Sequence, residues 1–162
     1  MILLLIVTLF LTNPPSTTTY YLVRHAEKAC EDCGTCGLSP EGSIRAIALA
    51  NYLSDKGIDT VFASQCLRTI STAQPIAKRQ GEKVSTYHTD NLNTFINSLS
   101  TINNKDVLVV GHSNQIPMMV KALSGKRVYI SDSDFDNIYV ITKSSVSKKG
   151  SLKKLTYGAR TR

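Results

Sequence analysis

Thr17-Thr18-Thr19-Tyr20-Tyr21-Leu22-Val23 runs directly into Arg24-His25-Ala26-Glu27. The first seven residues are β-branched, aromatic or aliphatic with no polar alternation, the pattern of a strand buried on both faces at the centre of a parallel sheet. Reading outward, Ser39-Pro40 offers an N-cap and a first-turn proline. Ile44, Ile47, Ala48 and Leu53 then recur at helical spacing as far as Gly57, which is read as closing the helix. Thr60 to Ala63 reads as a strand, Arg68 to Arg79 as a helix, Val84 to Tyr87 as a strand and Leu92 to Ile102 as a helix. Val107-Leu108-Val109-Val110 is too short and too apolar for anything but another buried strand. Gln115 to Leu123 forms a helix stopped by Gly125, and Ile138 to Thr142 with Leu152 to Tyr157 supply two late strands. This alternation predicts an α/β three-layer sandwich with a mostly parallel central sheet.

The chain has 162 residues, 42% hydrophobic and 19% charged, which suits one globular domain and excludes a disordered tail or a disulfide-only miniprotein. Its net charge of +7 is local. Lys143, Lys148, Lys149, Lys153, Lys154, Arg160 and Arg162 account for it, with no acidic residue among them, so residues 1 to 142 are neutral. Without interleaved aromatics this basic end reads as a solvated, Lys-guarded edge strand and not as a nucleic-acid surface.

Ile2 to Leu11 is an uncharged apolar run of ten residues followed by Asn13-Pro14-Pro15-Ser16. It falls well short of the roughly 20 residues a membrane span requires. Residues 1–16 are therefore read as a signal peptide and 17–162 as a single domain. The expected location is periplasmic or extracellular, with membrane association only if the apolar run is retained. The cysteines fit export, because an even number tends to pair in an oxidising compartment: Cys30, Cys33 and Cys36 are each separated by two residues, and Cys66 stands alone. Disulfides rank first, a zinc site second and an iron–sulfur cluster third. The favoured pairing joins Cys66 to one of the triplet, on the premise that the first two strands lie side by side.

In a parallel sheet, ligands bind beyond the carboxyl ends of the strands. Arg24 and His25 stand there after the first strand, and Gly111-His112 after Val107 to Val110. Ser64-x-x-x-Arg68-Thr69 adds a second guanidinium at a helix start, where backbone N–H groups and the dipole favour an anion. Two arginines, two imidazoles and a helix N-terminus describe a phosphate site. Planar guanidinium forks satisfy the equatorial oxygens, and a neutral imidazole is an in-line nucleophile.

Leu22-Val23-Arg24-His25-Ala26-Glu27, Arg68-Thr69-x-x-Thr72-Ala73 and Val109-Val110-Gly111-His112-Ser113-Asn114 resemble, in order, the three motifs of the histidine phosphatase superfamily, also called phosphoglycerate mutase-like. Phe135-Asp136-Asn137-Ile138-Tyr139-Val140 resembles a late-strand pattern of small exported members. The resemblance implies the phosphoglycerate mutase-like fold, a phosphohistidine at His25, phosphate binding by Arg24, Arg68, His112 and Ser113, a small phosphorylated substrate and no metal or other cofactor. Neither the asparagine nor the glutamate-rich segment of mutase-type members is present, which argues against mutase activity. The acid that protonates the leaving oxygen is assigned to Asp90, after the third strand, with Glu27 in reserve. Two further readings stand beside the phosphatase: a catalytically silent phosphate-binding domain of the same fold, and a metal or redox module built on the cysteine loop.

Overall fold

The computed structural model describes residues 14–161, so most of the proposed signal segment lies outside the described residues. The chain alternates strands and helices. β1 is Thr17–Arg24, α1 Pro40–Tyr52, β2 Thr60–Ser64, α2 Leu67–Gln80 and β3 Val84–Tyr87. A single 3-10 turn, Thr89–Asn91, leads into α3, Leu92–Thr101; β4, Asp106–Gly111, α4, Ile116–Ser124, β5, Asn137–Ser144, and β6, Ser151–Thr156, complete the chain. The six strands form one sheet in the order β3-β2-β4-β1-β5-β6, parallel from β3 to β1 and antiparallel from β1 to β6.

β1 is buried on both faces, as its composition requires. Tyr21 and Val23 point into one apolar core with Leu49, Leu53, Ile76 and Ala77 of the α1–α2 side. Tyr20 and Leu22 point into a second core with Leu99, Ile116, Met119 and Leu123 of the α3–α4 side. The result is a three-layer sandwich. At full burial each Leu or Ile contributes about 1.5 to 3 kcal/mol, so the two cores carry the fold. β6 is the outer strand beyond β5, and its Lys153 and Lys154 are exposed, as a guarded edge demands.

α1 begins where expected, with the Ser39 hydroxyl accepting the Gly42 N–H at 3.1 Å and Pro40 in the first turn. Its rotation differs from the sequence reading. Ile44 and Ile47 are 70% and 53% exposed, whereas Gly42, Arg45, Ala46, Leu49 and Ala50 are buried. The cause is a backbone contact. A Cβ on Gly42 would stand 2.1 Å from the Glu27 carbonyl oxygen, so only glycine lets the helix approach the loop after β1, and the helix turns its Gly42 stripe inward. The helix also ends at Tyr52, earlier than the Gly57 stop; Gly57 serves the following turn at φ +60°.

Candidate functional site

The carboxyl ends of β1 and β4 lie side by side, with Arg24 opposite Gly111 and the His25 N–H donating to the Gly111 carbonyl at 2.9 Å. That register brings the two histidines together, their ring centroids 5.3 Å apart in an edge-on arrangement. They line a cleft of about 460 Å³ with Arg24, Lys28, Arg68, Thr89, Ser113, Asn114, Gln115, Asp132 and the Cys33 and Cys66 sulfur bridge.

His25 is 4% exposed, and its Nδ1 is paired with the Ala26 carbonyl at 2.7 Å. A carbonyl can only accept, so Nδ1 carries the proton and Nε2 carries the lone pair. Burial, and then the charges of the neighbouring His112, Arg24 and Arg68, push its pKa down to about 3. It is neutral at physiological pH. The turn that aims the ring is pinned to α2, because Ala26 N–H donates to the Thr72 hydroxyl, which donates back to the Arg68 carbonyl.

The cations are held but not neutralised. Arg24 Nη1 donates to the carbonyls of Ser131 and Asp132, both at 2.9 Å, and its guanidinium lies 4.1 Å over the Phe135 ring. Arg68 Nη1 donates to the Glu31 carbonyl at 3.3 Å. Both arginines keep a buried Nε–H with no protein acceptor. A buried donor without a partner costs about 1 to 3 kcal/mol, so these two groups leave hydrogen-bonding capacity unused beside the cleft. His112 is held at depressed pKa, about 4, by burial and by Arg68, Arg24 and Lys28, and its Nε2 lies 2.8 Å from the Ser64 hydroxyl.

The start of α2 contributes less than expected. Its first N–H, that of Leu67, donates to the Cys33 carbonyl, and those of Thr69 and Ile70 turn back to Cys66. Of the first N–H groups only that of Arg68 keeps no backbone acceptor, so this helix presents the Arg68 backbone donor together with its side chain. The cysteine loop closes over it through two disulfides, Cys33–Cys66 and Cys30–Cys36. Cys66 thus pairs with one triplet member and the other two pair locally, although β4 separates β1 from β2. Side-by-side strands are not required, because both loops leave the same end of the sheet. With all four sulfurs in disulfides, no thiolate is available for the zinc or cluster readings of the loop. Among the described residues no group of three or more His, Cys, Asp or Glu is arranged to hold a metal.

Neither sequence-assigned acid lies in the cleft. Asp90 sits exposed on the 3-10 turn, where its neighbour Thr89 faces the cleft and is fastened by Gln65. Glu27 turns away into an ion pair with Arg45, whose Nε and Nη2 reach the carboxylate at 2.8 to 2.9 Å. The residues that sequence reasoning missed are Lys28, Thr89, Gln115 and Asp132. Lys28 follows His25 closely and was open to inference. Asp132 lies in a polar loop with no motif of its own.

Residues 20–94 match the family model of the histidine phosphatase superfamily, branch 1. No curated protein sequence matches the chain. Solved structures of the same fold include the protein histidine phosphatase SixA complexed with tungstate, 16% identical with a TM-score of 0.68, aligned over 85% of this chain and 96% of that one. Phosphoglycerate mutase from Bacillus anthracis str. Sterne is 13% identical with a TM-score of 0.70 over 87% and 93%. Phosphoserine phosphatase from Entamoeba histolytica, in complex with 3-phosphoglyceric acid, is 15% identical with a TM-score of 0.63 over 88% and 98%. The chain therefore matches the histidine phosphatase superfamily over residues 20–94 and has the phosphoglycerate mutase-like fold along nearly its whole described length.

Proposed function

We propose that the protein is a phosphomonoester hydrolase that works through a covalent phosphohistidine on His25. The observation that carries this reading is the combination of a neutral, buried imidazole whose Nδ1–H is fixed on Ala26 with two arginines whose Nε–H groups lack protein acceptors beside it. In the first step Nε2 attacks phosphorus in line, the P–O bond to the leaving group breaks, and the leaving oxygen takes up a proton. In the second, water attacks the phosphohistidine, and phosphate leaves as the histidine regains its lone pair. Arg24, Arg68, His112 and Ser113 are assigned to the phosphoryl oxygens, and Lys28 to the approach of the anion.

Leaving-group protonation passes, in this proposal, from Asp90 and Glu27 to Asp132, the carboxylate that lines the cleft. Export is part of the same reading and is supported by the two disulfides. None of the helices among the described residues is long and apolar enough to cross a membrane. The test is direct. Brief exposure to an aryl phosphate followed by alkaline denaturation should leave base-stable, acid-labile phosphate on the protein and none on His25→Ala. Tight phosphate binding with no label and no turnover would instead establish the silent binding domain.

A further inference from the structure

The two histidines of the cleft are wired in opposite senses, and the wiring of His112 is set by residues that carry no assigned role. Ser64 and Thr69 are both fully buried. The Thr69 hydroxyl lies 2.7 Å from the Cys66 carbonyl, 2.9 Å from the Ser64 carbonyl and 2.8 Å from the Ser64 hydroxyl, which in turn lies 2.8 Å from His112 Nε2. Carbonyl oxygens only accept. If the threonine proton pointed at Ser64, two short oxygen–oxygen contacts would be left with no proton in them. The arrangement that leaves fewest contacts without a proton sends the threonine proton to a carbonyl, the serine proton to Thr69, and the Nε2 proton of His112 to Ser64, so that only the second threonine–carbonyl contact lacks a proton of its own.

Resting on the phosphatase reading of the cleft, we infer that Ser64 and Thr69 are positioning residues that hold neutral His112 as the Nε2–H tautomer. Its Nδ1 lone pair then faces the phosphoryl site, which accepts a substrate bearing one extra proton. Nδ1 has no protein partner and is not among the buried unpaired atoms, so it is the nitrogen open to the cleft. A lone pair against a phosphate dianion repels, whereas the P–OH of a monoanion donates to it. The groups facing the ring are Arg68 from α2, Arg24 at the end of β1, Lys28 in the loop and His25 across the cleft. Burial and the three cations oppose a charged His112 until an anion binds, so the extra proton enters with the substrate. His25, held as Nδ1–H by Ala26, is the built-in contrast.

The experiment uses the full chain with nitrogen-15-labelled histidine, of which there are only three. Side-chain spectra near neutral pH should show one buried Nδ1–H ring, His25, one buried Nε2–H ring, His112, and the exposed His88. The two buried rings are assigned by His25→Ala and His112→Ala. In Thr69→Val, which keeps the shape and removes the hydroxyl, the serine proton is freed to donate to Nε2, and His112 should pass to Nδ1–H; Thr69→Ser should restore the original form. An Nδ1–H form of His112 in the unaltered protein overturns the inference, whatever the enzyme activity. With p-nitrophenyl phosphate, log kcat/KM should fall with unit slope above the second ionisation of the substrate, and Thr69→Val, whose Nδ1–H form donates to the dianion, should flatten that fall, raising kcat/KM relative to its low-pH plateau at least tenfold two pH units above the ionisation. An unchanged fall despite a switched tautomer overturns the link between tautomer and substrate protonation. Correct tautomers in a protein with no turnover leave the wiring standing and remove the phosphatase reading.

Discussion

His25 and Glu27 stand one residue apart and belong to opposite kinds of site. Around His25, two arginines and a lysine face a second imidazole, and the arginines retain donors that no protein group accepts. Around Glu27, one arginine is fully matched: Arg45 meets the carboxylate through two nitrogens and donates its third to the Ala159 carbonyl at 2.9 Å. Both clusters are largely buried and both contain a carboxyl-or-imidazole next to guanidinium. The difference is closure. A cluster whose charges cancel within the protein holds the scaffold together, and one left with surplus positive charge and unpaired donors is the place to look for a ligand, which is the basis of the proposed function.

Substitutions should separate the two clusters. His25→Ala is expected to abolish turnover of an aryl phosphate while the circular dichroism spectrum stays native. Arg68→Ala should lower kcat/KM by roughly a hundredfold or more, the loss of a single transition-state donor costing about 3 kcal/mol. A melting temperature that falls in step with activity would erase the contrast.

Cys66→Ser opens the bridge that ties the cysteine loop to the segment presenting Arg68. Closing a loop across a separation of 33 residues is worth about 3 to 4 kcal/mol in the chain-entropy account, whereas Cys30–Cys36, spanning 6, is worth about 2. Denaturant unfolding should rank the two bridges in that order, and only the first should also weaken phosphate binding.

Glu27→Gln should have the reverse profile of Arg68→Ala. Removing one partner leaves Arg45, 6% exposed, without its counter-charge, a loss of about 2 to 3 kcal/mol once the partial exposure of Glu27 is allowed for. Turnover should remain within about threefold of normal. A selective loss of activity on alkyl phosphates would return the acid role to Glu27; the same selective loss is expected of Asp132→Asn.

pH separates the two clusters as well. His25 and His112 have folded pKa values depressed to about 3 and about 4, below the ordinary 6.5. Between those values and 6.5 the unfolded chain binds more protons than the native one, so stability is complete above about pH 6.5 and declines as pH falls towards 4. Thermal melts at pH 7 and pH 5 should show a lower midpoint at pH 5, and His112→Ala should shrink that difference.

Much of this was legible in the chain itself. Every strand and α-helix of the described residues appears close to its expected place, because apolar runs at strand length and helix-spaced apolar residues report burial directly. His25 and His112 could be paired on paper, since both follow runs too apolar to lie anywhere but mid-sheet. Asp90 and Glu27 could not be judged that way: a carboxylate's position after a strand says nothing of whether an Arg45 waits on the neighbouring helix.

What the sequence alone determined is the layered α/β architecture and the identity of the residues at the strand ends, because periodicity and strand-terminal position are local properties of the chain. Tertiary structure decided the rest. It set β4 between β1 and β2, rolled α1 so that Gly42 meets the Glu27 backbone while Ile44 and Ile47 face solvent, paired Cys66 with Cys33, and brought Asp132 to the cleft. Lateral strand order, helix rotation and the reach of a loop depend on close contacts between residues distant in the chain, and no local pattern encodes which of those contacts will form.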